Sequence, residues 1–138
     1  MDNRAKIMPS IRYRHCEKAI EWLDKAFGFE KHLIVPDDAG GILHAQLACG
    51  DCMVMLGSAR ADNEFGRLNS SPAELNGQNT ASIYMVVEDA DAHYQRALEG
   101  GAEIVLDIKG EDYGGRGYTC KDLEGHLWSF GTYNPWND

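Results

Sequence analysis

Tyr113-Gly114-Gly115-Arg116-Gly117-Tyr118-Thr119-Cys120-Lys121-Asp122-Leu123-Glu124-Gly125-His126-Leu127-Trp128-Ser129-Phe130-Gly131-Thr132-Tyr133 reads as the second statement of a pattern that the chain has already made once. Setting Trp22 over Tyr94, 72 positions on, brings Ala26 onto Leu98 and Gly28 onto Gly100. Further along, Leu56 meets Phe130 and Gly57 meets Gly131 at an offset of 74. A drift of two residues is what a loop-length difference between duplicated units produces. Two such units side by side can enclose a cleft that neither forms alone, and concave surfaces are where small-molecule function concentrates.

Working outward, the first unit begins with a strand over 7–13 and a helix over 16–27. Ala19, Ile20, Leu23, Ala26 and Phe27 form one apolar stripe on that helix, and Gly28 is suited to end it. Strands follow over 29–35, 42–49 and 52–57, separated by turn-forming residues. The second unit repeats the order: a strand over 82–87, Asp89 as N-cap, a helix ending at Gly100-Gly101, then strands over 103–108, 117–121 and 126–133. Both units read β-α-β-β-β. The polar stretch between them is expected to be a linker that covers a cleft mouth. The chain therefore divides into a first module over about 6–58, a linker over about 59–80 and a second module over about 81–133, within a single domain. The expected fold is α+β, with the two tandem modules forming a curled mixed sheet around a cleft.

Composition removes several function classes. Acidic side chains number 22 against 13 basic, a net charge of −9, and no basic cluster stands out. Nucleic acid is an unsuitable partner for such a surface, whereas a cationic small molecule would be favoured. No apolar run approaches the length needed to cross a bilayer. No export signal is read at the start, so the expected location is the cytoplasm and the four cysteines are expected to be reduced. Cys49-Gly50-Asp51-Cys52 has a CxxC spacing, but Gly-Asp between two apolar runs reads as a hairpin turn with two small apolar fillers beside it.

Alternation in Ile42-Leu43-His44-Ala45-Gln46-Leu47 puts Leu43, Ala45 and Leu47 on one face and His44 with Gln46 on the other. If the aliphatic set meets the helix, His44 and Gln46 enter the cleft as orienting hydrogen-bond groups. His126 sits in a turn and is expected to make a turn or capping hydrogen bond.

The segments Ala19-Ile20-Glu21-Trp22-Leu23 through Phe27-Gly28-Phe29, Val86-Val87-Glu88-Asp89 and Asp122-Leu123-Glu124-Gly125-His126-Leu127-Trp128 resemble the vicinal oxygen chelate superfamily. That superfamily contains glyoxalase I, bleomycin-resistance proteins and extradiol dioxygenases. Within it the chain is similar to the glyoxalase-like and PhnB-like branch. The resemblance implies paired modules, a U-shaped cleft, a homodimer and, in the enzymes, a divalent metal held by His, Glu or Gln at up to four strand positions. Carried over, those positions fall on Met8 (or Ser10), Met55, Ser82 and Ser129. Thioether sulfur and serine hydroxyl are poor donors for a hard divalent ion, so no metal ligand and no cofactor is expected.

The same strand faces bring Met53, Met55, Tyr84 and Ser129 toward the cleft, with Met and Tyr offering adaptable, flat apolar contact. Arg116 and Tyr118 share a face in the family-like segment. There Arg116 could meet a ligand carboxylate or phosphate, or bridge to Asp112 or Asp122. The ligand set is thus His44, Gln46, Met53, Met55, Tyr84, Arg116, Tyr118 and Ser129, with no catalytic residue assigned. The leading expectation is a metal-free, homodimeric protein that binds a cationic or aromatic small molecule, in the manner of antibiotic-sequestering proteins. The alternative is a glyoxalase-like, metal-dependent lyase, isomerase or dioxygenase with an unorthodox site. A degenerate copy kept for partner binding ranks last.

Overall fold

The computed structural model describes residues 2–60 and 64–137. Strand β1 (Ser10–Tyr13), helix α1 (Cys16–Phe27) and strands β2 (Glu30–Pro36), β3 (Ile42–Cys49) and β4 (Cys52–Ser58) form the first module. The connection contains a short helix α2 (Glu64–Arg67) and a 3-10 turn (Pro72–Leu75); residues 61–63 of the expected linker lie outside the described residues. Strand β5 (Ile83–Val86), helix α3 (Ala90–Gly100) and strands β6 (Glu103–Gly110), β7 (Arg116–Lys121) and β8 (Leu127–Gly131) form the second. The sheets are ordered β1-β4-β3-β2 and β5-β8-β7-β6. In each, the first strand pairs in parallel and the others antiparallel. The fold is α+β, built of two β-α-β-β-β modules, each with a mixed four-stranded sheet.

Register confirms the duplication and adjusts it. Ser10 pairs with Met55 and Tyr84 with Ser129, so both partners move by 74 positions between modules. The helix ends shift differently. Gly28 and Gly101 are the left-handed C-caps, at φ 81° and 99°. Gly28 therefore answers to Gly101, not to Gly100. Gly100 is needed for a different reason. A Cβ there would stand 2.6 Å from that of Ala26, so its bare backbone lets α3 approach α1.

All five residues of the expected α1 stripe are buried. They meet a core of Phe29, Leu47, Leu56, Trp128 and Phe130, in which Phe27 lies 4.7 Å from Phe130 and 5.1 Å from Trp128 between ring centroids. Burying each large side chain of this kind contributes roughly 1.5–3 kcal/mol. The helices and this core join the modules, and the sheets stay apart. Among the described residues no strand of one sheet comes within 8 Å, between Cα atoms, of a strand of the other. Among the described residues the two modules form two separate four-stranded sheets rather than one curled sheet, because apolar burial draws together their helix-covered faces.

A polar seam fixes the modules in register. The buried Asp122 accepts from Tyr13 Oη at 2.5 Å and Trp128 Nε1 at 3.0 Å through Oδ2, and from the backbone N–H groups of Glu124 and His126, both at 3.0 Å, through Oδ1. Burial, with the Asp122 charge, pushes the Tyr13 hydroxyl well above its ordinary pKa, so it remains a donor. The Glu124 carboxylate accepts from the N–H groups of Arg14 at 2.7 Å and His15 at 2.8 Å. It thereby serves the N-terminus of α1, whose cap residue His15 makes no side-chain capping bond. His126 donates from Nε2 to the Arg12 carbonyl at 3.0 Å. In the α3 direction, Arg96 donates to the carbonyls of Asp24 at 2.8 Å and Lys25 at 3.0 Å, closing the other end of α1.

All four cysteines are free. Burial pushes the thiols of Cys16 to about 11 and Cys120 to about 12, as suits inert packing groups. Cys49 and Cys52 face each other across the expected hairpin. No helix among the described residues is long and apolar enough to cross a membrane.

Candidate functional site

Each sheet gives one face to its helix and leaves the other open. In the first sheet Val54 and Leu56 of β4 and Ala45 and Leu47 of β3 turn inward and are buried. The opposite face carries His44, Gln46, Met53 and Met55. Gln46 pairs with Met55 and Ala48 with Met53, and the Gln46 amide lies 3.1 Å from His44 Nε2. Met53 joins Met8 and His32 around a depression of about 300 Å³. Leu43, expected on the aliphatic face, is exposed, next to a register shift between Val35 and Pro36.

In the second sheet Trp128 and Phe130 of β8 and Tyr118 and Cys120 of β7 turn inward. Tyr84, Thr119 and Ser129 occupy the open face, the last two 2.8 Å apart through their hydroxyls. They line a depression of about 310 Å³ with Leu106, Tyr113 and Tyr133. Tyr84 donates to the Tyr133 carbonyl at 2.6 Å, and the rings of Tyr113 and Tyr133 meet edge to face at 4.9 Å. Burial, together with the neighbouring tyrosines, raises the Tyr84 hydroxyl's pKa, so it remains a proton donor on this surface.

Sequence reasoning therefore names two groups on two sheets: His44, Gln46, Met53 and Met55 on the first, Tyr84 and Ser129 on the second. Arg116 and Tyr118 also border the second-sheet depression, but the polar ends of their side chains are engaged with α3. Tyr118 is buried, with its hydroxyl 2.6 Å from His93 Nδ1 and its ring against Tyr94. Arg116 forms a two-pronged ion pair with Asp91 on the first turn of α3, both bonds at 3.0 Å, rather than reaching Asp112 or Asp122. Alternation pairs these two residues correctly but does not reveal which face the helix covers. Thr119, opposite Tyr118 on the same strand, is the wall residue that parity could have found. Leu106 could not be found that way, since β6 slips register on both sides of it.

The superfamily's divalent metal does not fit these residues. Met8, Ser82 and Ser129 line three different depressions, and Met55 offers only a thioether. Among the described residues no group of three or more His, Cys, Asp or Glu side chains converges as metal donors. What the open faces can do is hold a flat or apolar molecule against tyrosine and methionine, oriented by hydroxyl and amide groups.

The profile of the Glyoxalase/Bleomycin resistance protein/Dioxygenase superfamily matches residues 6–130. An uncharacterized protein of Mycobacterium bovis is 31% identical over 125 residues, spanning 91% of this chain and 81% of that protein. The crystal structure of TioX from Micromonospora sp. ML1 superposes with a TM-score of 0.71 at 31% identity, covering 92% of this chain and 94% of that one. FosX, a fosfomycin resistance protein from Mesorhizobium loti, shares the fold at a TM-score of 0.64 and 15% identity, covering 96% and 95%.

Proposed function

Because the chain belongs to the glyoxalase/bleomycin resistance/dioxygenase superfamily, we propose that it is a small-molecule binding protein that works without a metal ion, in the manner of the family's antibiotic-sequestering members. The observation that carries this reading is the second-sheet depression of about 310 Å³, walled by Tyr84, Tyr113 and Tyr133 and floored by the Ser129–Thr119 hydroxyl pair. Rigid aromatic walls with a few polar groups suit a planar ligand, and binding asks for no broken bond. The Met53–Met55 face with His44 and Gln46 is a second contact surface. Leu33, Leu43, Val86 and Leu106 are exposed on the isolated chain. A second copy that covers them makes the working form a homodimer, placed in the cytoplasm.

Calorimetric titration of bleomycin and of planar aromatic compounds, in chelator and again with divalent metals, tests the proposal. Affinity should be the same in both conditions, and Tyr84→Ala should weaken it about tenfold, ~1.4 kcal/mol. Binding or turnover that needs stoichiometric metal, and is lost in His44→Ala, would transfer the chain to the metal-dependent enzymes.

A further inference from the structure

A third cavity, of about 370 Å³, lies where the starts of β1 and β5 meet the connecting segment, apart from the tyrosine-walled depression. Its chemistry runs against that of the chain. The protein has 22 acidic and 13 basic residues, yet among the described residues no Asp or Glu lines this cavity. Its lining includes Arg12 together with neutral hydrogen-bonding residues such as Ser10, Ser70, Thr80 and Ser82.

Arg12 is placed and uncommitted. The guanidinium carbon sits 4.6 Å from the centroid of the Phe65 ring, a cation–π contact that covers one face of the plane. Beneath it is Gly57, the register partner of Arg12, where an added Cβ would fall 2.1 Å from Nη1. Any larger residue at 57 would displace the guanidinium. The strand beneath is tied down by the His126 bond to the Arg12 carbonyl. Among the described residues the guanidinium makes no ion pair or hydrogen bond, and its Nε is buried without an acceptor. A guanidinium held in one orientation, with a buried N–H that lacks an acceptor, calls for an anion of matching shape.

We propose that this cavity binds a small organic carboxylate, gripped by the Arg12 guanidinium and by the serine and threonine hydroxyls of the same lining. The planar fork of guanidinium matches a carboxylate in two-pronged contact. Local charge thereby selects an anion in a protein whose net charge favours cations. This site does not depend on the reading of the second sheet.

The test uses the full chain, with benzoate as the carboxylate, benzamide as its neutral isostere and inorganic phosphate as a different oxyanion. Benzoate should shift the Arg12 Nε–Hε signal in a nitrogen-15 spectrum saturably and raise the thermal midpoint, while benzamide does neither. Arg12→Gln should abolish the rise in midpoint. If that variant misfolds, Ser10→Glu, which offers the guanidinium an in-chain carboxylate two residues away, should silence the benzoate response in a folded protein. Tyr84→Ala should leave the response intact, which separates this site from the aromatic one. An equal response to benzamide, no saturable response to benzoate, a response to phosphate alone, or persistence of the benzoate effect in Ser10→Glu would each overturn the proposal.

Discussion

Tyr13 and Tyr84 occupy the same kind of position, on the first strand of a module, and meet opposite fates. Tyr13 is fully buried and gives its hydroxyl to Asp122 across the seam, whereas Tyr84 is 43% exposed and gives its hydroxyl to a nearby carbonyl. Around Tyr13 the side-chain carboxylates are committed: Asp122 serves four donors and Glu124 two. Around Tyr84 the surface is aromatic and open. The family-like segment Asp122 to Trp128 thus belongs to the mortar between modules, while the tyrosine-walled depression draws its rings from β5, the β6–β7 connection and the segment after β8. This separation explains how one fold can be recognised readily while its chemistry varies.

The contrast can be broken most sharply at Asp122. Asp122→Ala leaves the Tyr13 hydroxyl and the Trp128 indole without an acceptor in the core, and should cost about 3–5 kcal/mol in denaturant unfolding. A loss below about 1 kcal/mol would mean that the seam is not where stability resides. Glu124→Gln is milder. It keeps one acceptor at the α1 N-terminus but removes the charge, and should cost about 1 kcal/mol by the same measurement.

Acid probes a third polar group, half-buried on α3. His93, lodged against Phe130 at 4.1 Å and hydrogen-bonded to Tyr118, is held at about 4 by burial and by the charge of Arg96. The unfolded chain binds that proton near 6.5, so between about 6.5 and 4 it holds more protons than the fold does. Stability should therefore be full above that window and decline as pH falls through it. His93→Gln should flatten the decline in thermal midpoint. The lowered carboxylates Asp91 and Asp107 act lower, below their ordinary value of 3.8, and leave the upper part of the window to His93. The smallest stability effect belongs to the open face, where Tyr84→Ala should cost less than about 1 kcal/mol while still weakening ligand binding. A large loss of stability there would erase the distinction between mortar and surface.

The fold is legible in the sequence because its signals are local. The α1 stripe, Gly28 as terminator, Asp89 as the cap that accepts from the Ala92 N–H, and the Gly50-Asp51 turn all depend on near neighbours. The candidate site is legible by halves. Strand parity groups His44 with Gln46 and Tyr84 with the β5 open face, but parity has no knowledge of which face a helix covers, and so it turns Tyr118 outward. Arg12 is within reach, since it shares its strand face with Ser10. Its significance is not, because the Gly57 floor and the Phe65 cover come from distant parts of the chain. The partnership of Tyr13 with Asp122 spans 109 positions, and only the folded chain reveals it.

That span sets an order of events during translation. When the first module leaves the ribosome, the leading N–H groups of α1 await a carboxylate that will not be synthesised until residue 124, and the Tyr13 hydroxyl awaits residue 122. The nascent first half should therefore stay loosely formed, open to proteases and to chaperone capture, until the second module has been made. A fragment ending before the Asp122–His126 turn should inherit that unfinished condition permanently, however faithfully it repeats the pattern of its sibling.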